Sequence, residues 1–206
     1  MPRGAEHLVI LGAVAVAAWL LATYLYPRLM LIAYKRAILV QGVDAGPIPV
    51  NELYTQPQAL FRDPFAPLPP GGSRLMSMGT NRDTLYVVGW LDLSKGPLVL
   101  HVPDMGNRYY SMQFTDSATN TNFAYVGTRT TGTAAGEHLV TGRRWAGTAP
   151  AGMGHVSAPR NAVLLIGRVF VADDGDLPTA HALARELRLT PWAPLPAGPG
   201  GRPGPA

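Results

Sequence analysis

Cysteine is absent from the 206-residue chain. Disulfides, thiolate metal sites and thiol nucleophiles are therefore excluded, while the redox compartment stays open. Lysine is nearly absent as well. Of 17 basic residues only Lys35 and Lys95 are lysine, and the arginines are spread along the chain. Without a basic stripe there is no nucleic-acid footprint, and no nucleic-acid partner is expected. Contact with anionic headgroups or an acidic partner stays open at a net charge of +4. His7, His101, His138, His155 and His181 form no His-x-His or His-Glu-x-x-His pattern, and no Gly-x-Ser-x-Gly occurs. No metal and no other cofactor is expected, and no catalytic residue is assigned.

Glycine (23) and proline (20) are plentiful, which favours turns and irregular connections over a long helical bundle. One long apolar run stands out. Residues 8–26, LVILGAVAVAAWLLATYLY, carry no charge. At ~1.5 Å per residue they suffice for a hydrocarbon core of about 30 Å. A cleavable signal would be shorter and end in a small-x-small site, whereas bulky Leu20, Leu21, Tyr24 and Tyr26 stand there. A buried core helix would need a polar face, which this run lacks. The expectation is a single-pass anchor over residues 1–26, with the lipid bilayer as a partner. Arg28, Lys35 and Arg36 follow it, within a candidate juxtamembrane helix (27–41) whose apolar positions Leu29, Ile32, Ala33 and Leu39 fit a 3.6 period loosely. Counted literally, these charges place the C-terminal side in the cytoplasm; counted as part of a folded helix, they carry less topological weight.

Residues 42–80 are rich in Pro and Gly and read as an irregular segment wrapping the domain. Strand patterns begin after it: 84–91, 97–102, 108–115, 123–126, 137–141 and 162–171. The last, AVLLIGRVFV, is the most apolar and reads as central. In 108–115 alternation puts Tyr109, Ser111, Gln113 and Thr115 on one face and Tyr110, Met112 and Phe114 on the other. Close spacing of strands and Gly/Pro turns suggests a mainly β sandwich over 81–190. A short helix follows, with Asp176 as N-cap, Pro178 in its first turn and a stripe from Leu177 to Leu187, stopped at Thr190-Pro191. Residues 191–206 read as a disordered Pro/Gly tail.

Several residues are candidates for a ligand or cleft site. Asn81, Asp83 and Thr84 precede the first strong strand; they suit an Asx turn, or Asp83 serves as a carboxylate near Tyr86 and Arg108. Arg108 follows a Pro-Asp-x-Gly turn and precedes two tyrosines, one of which alternation buries. The exposed tyrosine with Arg108 and Gln113 suits a pocket for a polar or anionic ligand, Tyr110 being the one counted among the cleft candidates; the alternative is a cross-strand Arg–Asp pair beside a packed ring. The loop 127–133, GTRTTGT, suits a phosphate cradle, or a tight connection in which Arg129 bridges to a carboxylate.

Three stretches, 81–104, 107–133 and 165–171 with LRLTP at 187–191, together with YLYPRLMLIAYKRA at 24–37, resemble the bacterial DUF1254 family, domains of unknown function. The resemblance implies an immunoglobulin-like β-sandwich and, since many relatives are exported, an extracytoplasmic domain. It also implies a partner. In many members a second β-rich domain, DUF1214, follows in the same chain, and here the sequence ends where it would begin, so a separate companion-domain protein is expected. Two functions follow. One is a membrane-anchored binding or assembly subunit. The other is an enzyme, or half of one, in which Asp83, Tyr86, Arg108 and Arg129 converge in one cleft with perturbed ionisation.

Overall fold

The computed structural model describes residues 3–42, 46–68, 70–72 and 81–193. Parts of three segments read from the sequence lie outside the described residues: 1–2 of the anchor segment, 43–45, 69 and 73–80 of the Pro/Gly-rich stretch, and 194–206 of the tail.

Helix α1 (Arg3–Arg36) takes the uncharged run and the segment after it into one helix of 34 residues, about 51 Å long at ~1.5 Å per residue. Pro27 lies inside it and removes one ladder donor. Beside it Arg28 donates to the Tyr24 carbonyl at 2.8 Å, its guanidinium 3.7 Å from the Tyr24 ring centre. Every residue from 8 to 30 is exposed. A π-helical turn, Ala37–Gln41, follows. The apolar stripe expected at Leu29, Ile32, Ala33 and Leu39 is corrected. Leu29, Ile32 and Ala33 face outward and Leu39 is half-buried, while Leu31, Ala37 and Ile38 are buried. Only one narrow row of the helix reaches the domain, so the wider 3.6 pattern has no surface to pack on.

Strands β1 (Tyr54–Thr55), β2 (Thr84–Asp92), β8 (Ala162–Phe170), β4 (Tyr110–Asp116) and β5 (Thr121–Gly127) form one sheet in that order. Strands β7 (Gly154–Ser157), β6 (Gly136–Thr141), β3 (Leu98–Val102) and β9 (Arg188–Pro191) form a second. All pairs are antiparallel except β6 with β7. The short helices α2 (Gln58–Arg62) and α3 (Leu177–Glu186) complete the described elements. Strand β8 is central, as its unbroken apolar run implies. Its odd-numbered side chains Val163, Leu165 and Val169 enter a buried cluster with Leu85 and Val87 of β2, Leu100 of β3, Phe114 of β4 and Val140 of β6. Both sheets thus share one core, closed at one side by Leu177, Ala180 and Ala184 of α3.

The opposite face of the five-stranded sheet has a smaller cluster, in which Ile38 and Ile48 cover Val88, Trp90 and Leu164. The covering segment approaches closely at Gly89, where a Cβ would lie 2.7 Å from Leu53 Cδ2 and 2.8 Å from the Glu52 carbonyl oxygen. Asn51 locks the segment in place: its N–H donates to the Trp90 carbonyl at 2.9 Å and its Oδ1 accepts from the Asp92 N–H at 2.7 Å.

Two local readings are revised. Asp176 makes no cap bond at α3; its carboxylate is taken by Arg108 instead. The helix ends at Glu186, short of Thr190-Pro191, and Pro191 belongs to a strand rather than to the tail: β9 pairs Thr190 with Val99 and Pro191 with Leu98. Proline is tolerated there because β9 is an edge strand.

Candidate functional site

Antiparallel pairing brings four strand ends together at one end of the five-stranded sheet: the start of β2, the end of β8, the start of β4 and the end of β5. The Val171 N–H donates to the Asp83 carbonyl and the Phe170 N–H to the Tyr109 carbonyl, both at 2.9 Å. Five of the six candidate residues, Asn81, Asp83, Arg108, Tyr110 and Arg129, lie at or just beyond these ends. Tyr86 sits two residues farther into β2. They share a sheet end but not one cleft.

Asn81 is an Asx turn. Its Oδ1 accepts from the Asp83 N–H at 3.0 Å and the Thr84 N–H at 3.3 Å, and its Nδ2 donates to the Thr84 carbonyl at 2.9 Å. The Asp83 side chain is exposed beyond that turn. Arg108 forks onto Asp176, with Nη1 to Oδ2 and Nη2 to Oδ1 both at 2.6 Å, and Nη1 also donates to the Phe170 carbonyl at 2.7 Å. The Asp176 carboxylate accepts the Ala172 N–H as well. The Arg108 hydrogen bonds, then that backbone bond, hold its pKa down at about 2, and the same pair raises the Arg108 pKa. This is an Arg–Asp pair, but between the connection leading into β4 and the start of α3 rather than across strands. Tyr110 is the buried tyrosine, 1% exposed, because even-numbered positions of β4 face the core; burial raises its phenol pKa. Arg129 reaches no carboxylate among the described residues. Its guanidinium lies 5.6 Å from the Tyr109 ring centre.

The loop after β5 is held by its own hydroxyls. The Thr130 and Thr131 N–H groups donate to the Gly127 carbonyl, the Gly127 N–H donates to Thr131 Oγ1, and the Tyr110 N–H donates to Thr128 Oγ1. These bonds turn the loop amides inward, away from any phosphate.

A cavity of about 370 Å³ opens on the outer face at this end, lined by Tyr109, Tyr110, Ser111, Tyr125, Gly127, Arg129 and Thr130. Ser111 and Gly127 are register partners, so a cross-strand pair with almost no side chain makes the hollow, and Tyr109, Tyr125 and Arg129 wall it. In the next position along the same row Arg168 of β8, opposite both Ser111 and Tyr86, lies 5.6 Å from the Tyr86 ring centre. It too lacks a carboxylate partner among the described residues. Tyr125 and Phe170 are 44% and 40% exposed around it. Tyr125 and Arg168 were missed in the sequence, and Tyr110, counted as the cleft tyrosine, is the buried one of its pair, while Tyr109 walls the cavity. One signal for Arg168 was present: it is the single charge in AVLLIGRVF and marks the outer phase of β8.

Gly127 is required by close approach. A Cβ there would lie 2.5 Å from the Tyr110 carbonyl oxygen and 2.9 Å from Ser111 Cα, both backbone atoms. Gly127→Ala is expected to cost about 2 kcal/mol, the scale of overpacking. Urea unfolding checks this, and a variant as stable as the parent would refute the close approach.

A family model described as "Protein of unknown function (DUF1254)" matches residues 66–191. The chain belongs to the DUF1254 family. The matched span holds eight of the nine strands and α3, and both loops that build the cavity end, at 81–84 and 127–131, lie within it. Two solved structures resemble this DUF1254 chain. The VPA0106 protein from Vibrio parahaemolyticus is 29% identical, with a TM-score of 0.50, over 61% of this chain and 33% of that one. A putative uncharacterized protein from Burkholderia cenocepacia is 15% identical, with a TM-score of 0.41, over 60% and 32%. This chain therefore spans about a third of the length of each. Among curated proteins none matches.

Proposed function

We propose that this DUF1254 chain is a membrane-anchored assembly subunit, an immunoglobulin-like sandwich that docks a separate companion β-domain of the DUF1214 kind. The observation that carries this reading is the outer face at the end of β8, β4 and β5. Tyr125 and Phe170 are exposed there beside Arg129 and Arg168, two cations with no carboxylate partner among the described residues. Tyrosine and arginine are the residues enriched at the energetic centres of protein interfaces. The adjoining strand β5 is a sheet edge with no further strand paired to it among the described residues, a position suited to strand addition. Support for the anchor comes from α1, long and apolar enough to cross a bilayer with its apolar window wholly exposed; a helix in water would hide such a surface. The family resemblance favours an extracytoplasmic β-domain.

Binding is favoured over catalysis by the cavity's chemistry. Its lining has no carboxylate and no histidine, so no acid–base pair that titrates near neutral pH faces a substrate there. The strongest perturbed pair, Arg108 with Asp176, is closed on itself.

The test mixes the full chain, in detergent, with a purified DUF1214-type β-domain and follows the complex by sedimentation. Tyr125→Ala and Arg129→Ala are each expected to loosen it about thirtyfold, the ~2 kcal/mol of a hot spot. No complex with the parent chain, or variants that bind equally well, would overturn the docking reading. Alkaline carbonate extraction of membranes and protease access in intact cells check the anchor and its side independently.

A further inference from the structure

The other end of the five-stranded sheet is basic. Lys95 follows β2, Arg143 and Arg144 follow β6, and Arg160 precedes β8. Arg143, Arg144 and Arg160 line an open cavity of about 450 Å³ with Pro159 and Asn161. A second cavity, of about 350 Å³, shares Arg144 and Asn161 and adds Lys95 and Trp145. Two carboxylates lie at this end: Asp92, close enough to Lys95 to feel its charge, and Asp116, its side chain 5% exposed, which accepts from Arg160 Nη1 at 2.6 Å. Asp116 also takes the Ala118 N–H and the Thr119 hydroxyl, so three of its roughly four acceptor positions are occupied. Lys95, Arg143 and Arg144 are exposed and have no ion pair among the described residues.

Helix α1 joins the domain at this same end. The Asn120 N–H donates to the Asp116 carbonyl, and Asn120 lines an apolar groove with Tyr26, Pro27, Met30, Leu31 and Tyr34 of α1. Lys35 of α1 lies 5.5 Å from the Trp90 ring centre. Ser94 bonds hold the Asp92 carboxyl below its ordinary pKa, with Lys35 and Lys95 adding to the effect. The turn that anchors Arg160 is thus the turn that meets the helix where its uncharged run ends, from Tyr26 onward. Arg28 and Arg36 lie on the same helix segment.

We infer that the Arg143–Arg144–Arg160 cavity binds the phosphate of anionic phospholipid headgroups and seats the basic end of the domain on the bilayer. This rests on α1 spanning that bilayer. Guanidinium groups suit the phosphate because their N–H donors match its oxygens in pairs and stay charged at any physiological pH. The aromatic docking face at the opposite sheet end is then held away from the lipid surface, open to a companion.

The test uses the full chain in neutral detergent micelles, titrated with phosphatidylglycerol, phosphatidylcholine or inorganic phosphate, with binding followed by hydrogen exchange at 142–145 and 159–161. Phosphatidylglycerol is expected to protect both segments and phosphatidylcholine neither. Removing two cations in Arg143→Ala/Arg144→Ala should weaken the phosphatidylglycerol effect about thirtyfold, whereas Arg129→Ala, at the far sheet end, should leave it unchanged. Equal protection in the double variant overturns the proposal. So does protection by inorganic phosphate at the same concentration, which would mean a site for a free anion. Carbonate extraction separates the two readings. A chain retained in membranes but blind to phosphatidylglycerol sinks the headgroup site alone, and a chain released by carbonate sinks the anchor and this inference together.

Discussion

Asp176→Ala is expected to lower the stability of the domain by about 2–3 kcal/mol at neutral pH. The carboxylate receives both Arg108 nitrogens at 2.6 Å and the Ala172 N–H at 2.9 Å, and the two side chains are 14% and 20% exposed. Alanine leaves the Arg108 charge with the Phe170 carbonyl as its remaining side-chain hydrogen-bond partner among the described residues. A partly buried pair broken on one side costs less than the ~3–5 kcal/mol of a fully buried one. The sign with pH follows. Asp176 ionises at about 2 in the fold against an ordinary 3.8. A depressed carboxylate contributes stability that is fully present above the unfolded value and is lost as pH falls through the folded one. The contribution, about 1–2 kcal/mol after solvent screening, should therefore fade between about pH 5 and pH 2. Urea unfolding across that window checks it. The Asp176→Ala curve should lack this component, and two parallel curves would show that the pair does not stabilise the fold.

Leu165→Ala is expected to cost about 3–4 kcal/mol. Leu165 is 0% exposed at the middle of the central strand, opposite Gly89 on β2 and Phe114 on β4. Those neighbours belong to two different strands and cannot both relax into the space, so a cavity persists. The next residue makes a sharper comparison. Ile166 faces the other side of the sheet and is half-buried, so Ile166→Ala should cost about half as much. The denaturant midpoint should drop without a change in slope for both. Equal effects would mean that β8 is not buried more deeply on its odd-numbered face.

Much of this was legible in one dimension. Alternation in 108–115 assigned Tyr110, Met112 and Phe114 to one face, and all three are buried. The run 162–171 announced a strand covered on both faces, and β8 has Leu165 in the main core and Leu164 in the smaller cluster. Asn81 read as an Asx turn because the bonds involved reach only two or three residues. The candidate site was less legible. Arg108 was singled out, but its partner Asp176 lies 68 residues away. Asp176 carries the sequence signature of a helix cap, and nothing local tells that a guanidinium from the connection before β4 will claim it. The β-strand β7 was missed because GHVS is four residues long and only its pairing with β6 makes it a strand.

The sequence by itself determined the periodicities, the uncharged run of α1, the local turns and membership of the DUF1254 family, since each depends on residues close in the chain or on a linear motif. Only the tertiary structure decided where the charges meet. It paired Arg108 with Asp176, left Arg129 and Arg168 over tyrosine rings, and set the cluster of Arg143, Arg144 and Arg160 at the sheet end where α1 meets the domain. Side chains tens of residues apart become neighbours through strand register, and one residue of register exchanges the two faces of a sheet. That geometry is a property of the packed sheets, and no local pattern encodes it.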